Sequence, residues 1–287
     1  MRRSNSWLKH HRLLAFFVLA YAISWSSWPA YAAGLAPRME FLPIGPLAAA
    51  VVVIALAEGR AGFRAWGRRL IRWRVGWVWY AVALLLPAVL VLATGLVTIA
   101  LGASAPGLAR LTWSGMLMVF AVRLVNPMDG PLGEEPGFRG YALPLLQAAR
   151  PPLQSAAILG LLVALWHLPL VLFEGLSLIG LPTTFAITFL YVWLFNRTGG
   201  SVLLTLLFHN SQGTFTVGSY GFTGPDVPRA ELIYFVVVAA AALGTILLDR
   251  PAWRTAPPEA SDVGPLSRRF NRTTSGHRPD ESPTQPR

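Results

Sequence analysis

An all-α, polytopic transmembrane helical bundle of about eight spans is the fold this sequence predicts, and three observations predict it. Hydrophobic residues fill 54% of the 287 positions and charged residues 13%, against roughly 25% charged in an ordinary soluble domain. The apolar residues gather into eight runs, most of them close to the ~20 residues that cross a bilayer as a helix. The basic residues then sort to one side of those runs, as the positive-inside rule requires. There is no cysteine, which excludes disulfides, thiolate metal sites and cysteine nucleophiles.

The first run, 13–33, follows a basic start. Trp25 and Trp28 suit an interfacial aromatic belt, while Ala30-Tyr31-Ala32 offers the competing reading of a cleavable signal peptide. Run two, 41–57, is short. In 58–75, Arg60, Arg64, Arg68, Arg69, Arg72 and Arg74 alternate with Phe63, Trp66, Leu70, Ile71 and Trp73, which fits a helix on an anionic cytoplasmic surface or a basic loop that fixes topology. Runs follow at 76–101 and 113–126, the latter stopped by Asn126-Pro127, and then at 153–173, 178–195, 201–220 and 231–248. Residues 1–248 therefore read as one transmembrane domain, with a motif-bearing core at 113–215. The stretch 249–287 carries seven prolines in 39 residues and almost no apolar pattern, so a disordered cytoplasmic tail is expected there. No internal repeat of the kind that marks many transporters is visible.

With a cytoplasmic N-terminus, 20 of the 24 Lys and Arg fall in cytoplasmic segments, Arg38, Arg110 and Arg229 fall outside, and Arg123 lies within the fourth run. The net charge of +11 thus reads as topology, with no nucleic-acid partner, membrane lipid as the surroundings, and both termini on the cytoplasmic side of the cell membrane.

Ionisable groups at membrane depth are costly and mark function. Here they are Arg123, Asp129, Glu134, Glu135, Arg139, His167, Glu174 and His209. The breakers of Asn126-Pro-Met-Asp-Gly-Pro-Leu-Gly put the acidic pair at a helix start, where the positive dipole end favours carboxylates. Pro136, tolerable only in a first turn, places that start at about Glu135. Glu135 and Arg139, four apart, can pair on one face. A capping carboxylate with a helix ion pair accounts for those two but leaves Glu134 free, placed to act as a general base. Asp129 reads as a turn residue, Glu174 as an external interface residue, and Arg123 as a group that snorkels or neutralises a nearby acid.

Glu134-Glu135-x-x-x-Arg139 followed by Gly140-Tyr141-Ala142-Leu143-Pro144, then Trp166-His167-Leu168-Pro169, then the His209 stretch, resemble in order the three signatures of the CPBP family (CAAX proteases and bacteriocin-processing enzymes). The resemblance is to its type II CAAX prenyl endopeptidases and covers about 113–215. It implies an intramembrane endopeptidase in which Glu134 activates a water, Glu135 and Arg139 form the supporting pair, and His167 and His209 position the water, stabilise the oxyanion or bind metal. A zinc site with an open position on Glu134, His167 and His209 is chemically feasible, and metal dependence stays undecided. The substrate implied is a peptide or protein segment, lipid-modified ones included. Two departures from the family pattern stand out: Val163 where an aromatic usually precedes the second signature's histidine by four, and Gly213 where a polar residue, often Asn, usually follows the third by four. Gln212, or Asn210, is then the expected substitute oxyanion donor. The alternatives are a non-catalytic, immunity-type binding relative of the same family and, more remotely, a proton-coupled transporter.

Overall fold

Every expected apolar run forms a helix in the computed structural model, which describes residues 7–38 and 40–257. Among the described residues there is no strand. The helices are α1 (Arg12–Ser24), α2 (Trp28–Ala32), α3 (Gly45–Ala57), α4 (Gly59–Leu70), α5 (Trp77–Ala100), α6 (Trp113–Val125) and α7 (Pro131–Gly137). A π-helical turn (Phe138–Ala142) joins α7 to α8 (Leu143–Gln147). The chain continues through α9 (Pro152–Trp166), α10 (Leu168–Phe173), α11 (Gly180–Arg197), α12 (Val202–Thr214), α13 (Asp226–Leu248) and α14 (Pro251–Arg254).

Three stretches, Trp77–Ala100, Pro152–Phe173 and Asp226–Leu248, are long and apolar enough to cross a membrane, so the expected count of eight spans is not confirmed. Helices such as α1 and α3 hold 13 residues each, about 20 Å at 1.5 Å per residue, short of the ~30 Å hydrocarbon core. The helical bundle is the architecture; the chain is an integral membrane protein.

Two large apolar cores, with a smaller one around Val91, Tyr220, Phe222 and Ala230, hold it together. One joins α1, α3, the π turn, α8, α9 and α14 around Phe16, Ile54, Phe138, Leu143, Leu159 and Trp166. The other joins α5, α11, α12 and α13 around Leu90, Leu190, Leu194, Phe208 and Val238. Leu85, Val89, Leu92 and Leu96 form an exposed apolar stripe on α5, the face that lipid would cover. Buried threonines return their hydroxyls to carbonyls one turn back, as Thr94 does to Leu90, Thr188 to Thr184 and Thr198 to Leu194, which satisfies them where no water is present. Between helices, Tyr21 Oη donates to Leu162 O, Trp25 Nε1 to Trp166 O and Ser211 Oγ to Leu84 O, the polar contacts expected between helices in lipid.

The segment 127–152, expected as a connection between the fourth and fifth runs, is largely helical. A Cβ on Gly133 would lie 2.6 Å from Pro43 O, and one on Gly137 would lie 2.4 Å from Pro46 O. Further along, Tyr141 Oη donates to Glu58 Oε1 at 2.9 Å. The α7–π–α8 element therefore follows α3 from its first residues to its last, packed backbone to backbone through glycines, and crosses the body itself. Its helix begins at Pro131, not near Glu135. Pro131 occupies the first helical position, where the missing N–H costs nothing, and Pro136 sits inside the helix just before it widens into the π turn. Helix α4 also departs from a simple membrane-surface role. Trp66 Nε1 donates to Pro136 O and Arg69 Nε to Gly140 O, so its inner face buttresses the π turn, while Arg60, Arg64 and Arg68 are exposed. At the end of α13, Asp249 pairs with Arg197, and Trp253 is buried in the first core. The packed body thus extends past Leu248 to the end of the described chain, and the remainder of the expected tail, 258–287, lies outside the described residues.

Candidate active site

Glu135 is fully buried, and its Oε1 accepts from Arg139 Nη1 at 2.9 Å and from His209 Nδ1 at 3.0 Å. The first contact is the i, i+4 pair expected from spacing; the second comes from α12, 74 residues away. Arg139, itself buried, lies with its guanidinium carbon 4.0 Å from the centre of the Tyr191 ring, a cation–π contact that compensates a charge removed from water. Tyr191 Oη donates to Gln212 Oε1 at 2.6 Å. Glu135, Arg139, His209, Tyr191 and Gln212 thus form one connected set from α7, the π turn, α11 and α12. A π turn at this point is apt: widening one turn re-aims side chains, and such bulges concentrate at functional sites.

Glu134 stands in the first turn of α7, 6% exposed, and among the described residues its carboxylate accepts no hydrogen bond. What it faces is defined by Gly130. That residue has φ +68° and ψ −85°, a conformation only glycine adopts easily. The position a Cβ would occupy there lies 3.4 Å from Glu134 Oε1, 3.4 Å from His209 Nε2 and 3.5 Å from Arg123 Nη2. One carboxylate oxygen, one imidazole nitrogen and one guanidinium nitrogen therefore surround a single small space, none paired directly with another. Because His209 Nδ1 donates to Glu135, neutral His209 presents Nε2 as an acceptor. Two acceptors and one donor, Arg123 Nη2, thus face one point, and a water molecule, which donates twice and accepts, can bridge all three.

His167 sits at the junction of α9 and α10, where Pro169 follows. Its Nδ1 donates to Val163 O at 2.8 Å, and its ring lies against Trp166 and stacks on Phe41. The small Val163 that replaces the expected aromatic supplies the carbonyl that orients the imidazole, leaving Nε2 as the open nitrogen.

Of the two expected amide donors, Asn210 is spent elsewhere: it is fully buried, and its Nδ2 donates to Phe120 O on α6 at 3.0 Å. Gln212 holds Tyr191 and lines a cavity of about 240 Å³ with Glu231, Tyr234, Thr183, Phe215 and Val217. None of Glu134, His167 and His209 lines that cavity. Arg123 Nη1 donates to Asp129 Oδ1 at 2.5 Å, so Asp129 is the acid that Arg123 neutralises. Glu174 Oε1 accepts from the backbone N–H of Phe41, which ties the end of α10 to the loop before α3. Tyr191 and Phe41 went unmarked in the sequence because each looks like an ordinary aromatic in an apolar run; the single tyrosine in 178–195 was the available signal for Tyr191.

The metal reading can be tested against the donors. Among the described residues, no three His, Asp or Glu side chains come together as a group that would hold a metal ion. Glu134, His167 and His209 are not such a group among the described residues.

Residues 112–213, from the N-cap of α6 to the last turn of α12, match the family model described as Rce1-like, type II CAAX prenyl endopeptidase. The matched segment contains the acidic pair, Arg139, both histidines and Arg123, and it coincides with the motifs that resemble this family. No curated protein matches the chain.

Proposed function

We propose, with the Rce1-like match as premise, that this integral membrane protein is a CAAX-protease-like intramembrane endopeptidase that hydrolyses peptide bonds with a water activated by Glu134. The observation that carries the reading is the shared space at Gly130, where an unpaired buried carboxylate and the open nitrogen of His209 face one point. A water held there gives one proton to Glu134 as its oxygen attacks the scissile carbonyl carbon. The carbonyl electrons move to oxygen, and on collapse the C–N bond breaks while Glu134 returns the proton to the leaving amine. Geometry of this kind converts acid–base chemistry into about 10²–10⁴ of rate.

Glu135 does not react in this scheme. It fixes His209 through Nδ1, and Arg139 fixes Glu135. His167 offers its Nε2 from the α9–α10 junction as a second contact for the substrate or the water. By helix rise, His209 lies eight residues, about 12 Å, from Ser201 at the basic end, and Glu134 thirteen residues, about 20 Å, from Gln147. The site is therefore well inside the bundle, which suits a segment presented at the membrane, lipid-modified or not. Basic-residue partition makes the α4 end cytoplasmic, with both termini on that side.

Mass-spectrometric profiling of the purified protein in lipid nanodiscs against a library of membrane-tethered peptides tests the reading. Defined new N- and C-termini support it. Saturable binding with no cleavage would favour the non-catalytic relative instead.

A further inference from the structure

The fourth residue after His209 on α12 is Gly213, one turn on and facing the same way. A Cβ there would collide with Arg123, lying 2.1 Å from Nη2, 2.3 Å from Cζ and 2.6 Å from Nε. The room that any side chain at 213 would need is filled by the guanidinium of a residue 90 positions earlier. That guanidinium is held by one nitrogen only, Nη1, which donates to Asp129. Its Nε is buried without a partner, and Nη2, on the same edge of the fork, meets no acceptor among the described residues while facing the space shared by Glu134 and His209. A buried donor without an acceptor costs about 1–3 kcal/mol, and such groups in a native site call for an explanation. Asp129, partly exposed at the turn before α7, neutralises the charge through Nη1 and leaves the Nε–Nη2 edge without a carboxylate.

Resting on the peptidase reading above, we propose that Arg123 is the oxyanion donor of this site: its Nε–Nη2 edge binds the oxygen that becomes negative when water attacks the scissile carbonyl. Gly213 is the residue that admits it. The cation stays protonated throughout, since a guanidinium does not titrate in proteins; it donates hydrogen bonds to the carbonyl oxygen as charge develops and loses them when the C–N bond breaks. A charge-assisted donor of this kind is stronger than a neutral amide, which fits a site where the Asn210 amide is committed to Phe120 O and Gln212 lines a separate cavity that neither Glu134 nor His209 reaches. Because the charge it meets exists only in the transition state, the effect belongs in kcat rather than in KM.

The test uses the purified full chain in nanodiscs with a cleaved peptide, comparing wild type, Glu134→Gln, Arg123→Ala, Gly213→Asn and the double variant Arg123→Ala/Gly213→Asn, each with kcat, KM and melting temperature. Arg123→Ala should lower kcat by about 10²–10³, the usual effect of removing one oxyanion donor, with KM within about twofold. Gly213→Asn alone should also lower kcat, because its Cβ displaces the guanidinium. In the double variant the amide at 213 enters the vacated space, and kcat should recover at least about tenfold over Arg123→Ala. A purely structural arginine would show loss of melting temperature without that rescue, and this pattern overturns the proposal. So does a change confined to KM, which would make Arg123 a reader of substrate charge. Wild-type activity that Glu134→Gln abolishes and Arg123→Ala leaves intact overturns the role of Arg123 alone, whereas a wild type that cleaves nothing overturns the peptidase reading and this proposal with it.

Discussion

Replacing Arg139 by Met should be among the most destabilising single changes in the bundle, and the structure sets its size. Arg139 and Glu135 are 2% and 0% exposed, joined by one 2.9 Å contact, with the opposite atoms, Arg139 Nε and Glu135 Oε2, unpartnered. Removing one member of such a buried pair leaves an uncompensated charge and costs about 3–5 kcal/mol; loss of the Tyr191 ring contact adds roughly 0.5–2 kcal/mol. Glu135→Gln alone strands the guanidinium in the same way. The double variant Glu135→Gln/Arg139→Met buries no charge from this pair, so its cost should fall short of the sum by about 1–3 kcal/mol, a coupling typical of contacting residues. Reversible unfolding in bicelles, followed by steric trapping, measures all three. Additivity within about 0.5 kcal/mol would show that the pair is not a coupled unit and would remove the structural reason for His209 being held in place.

Gly130→Ala should lose both rate and stability, since its methyl enters the space between Glu134 and His209 and its φ of +68° costs a non-glycine residue more than about 1 kcal/mol; activity and melting temperature read the two effects separately. At the basic end, the hydrogen bond from Arg197 holds the Asp249 carboxyl below its ordinary value of 3.8, against a smaller opposing effect of burial. A depressed carboxyl stabilises above its unfolded value and loses that contribution as pH falls through its folded one, so the melting-temperature gap between wild type and Asp249→Asn should be full at neutral pH and shrink below about 3.8. Reporter fusions after Arg74 and Arg254 should report cytoplasm, and those at Gly107 and Asp226 the exterior, because the basic residues partition that way; the reverse would invert the bundle.

Most helices were legible because apolar runs bounded by Gly, Pro and Arg leave little choice, as at Trp77–Ala100 and Asp226–Leu248. The segment around Glu134 was harder. Asn126-Pro127 and Gly130-Pro131 look like the boundaries of a loop, yet Pro131 is a helix start, and the glycines at 133 and 137 exist to bring α7 against α3. Nothing in Phe138-Arg139-Gly140-Tyr141-Ala142 announces a π turn, which depends on what packs around it. The acidic pair and both histidines could be picked out by chemistry alone, since charge at membrane depth is rare. Their partners could not: Tyr191 beneath Arg139 and Arg123 against Gly213 are tertiary contacts between residues that each satisfy a local reading. The gap at Gly213 appeared in the sequence as a missing donor, and only the fold shows another side chain occupying it.

The general-base role of Glu134 is tested most directly by the single-turnover cleavage rate of Glu134→Gln, which keeps the shape of the side chain and removes its basicity. The rate should fall on the order of a hundredfold or more, with the melting temperature unchanged because the Glu134 carboxylate makes no hydrogen bond to the rest of the described protein. A Glu134→Gln protein that cleaves at the wild-type rate would contradict the account.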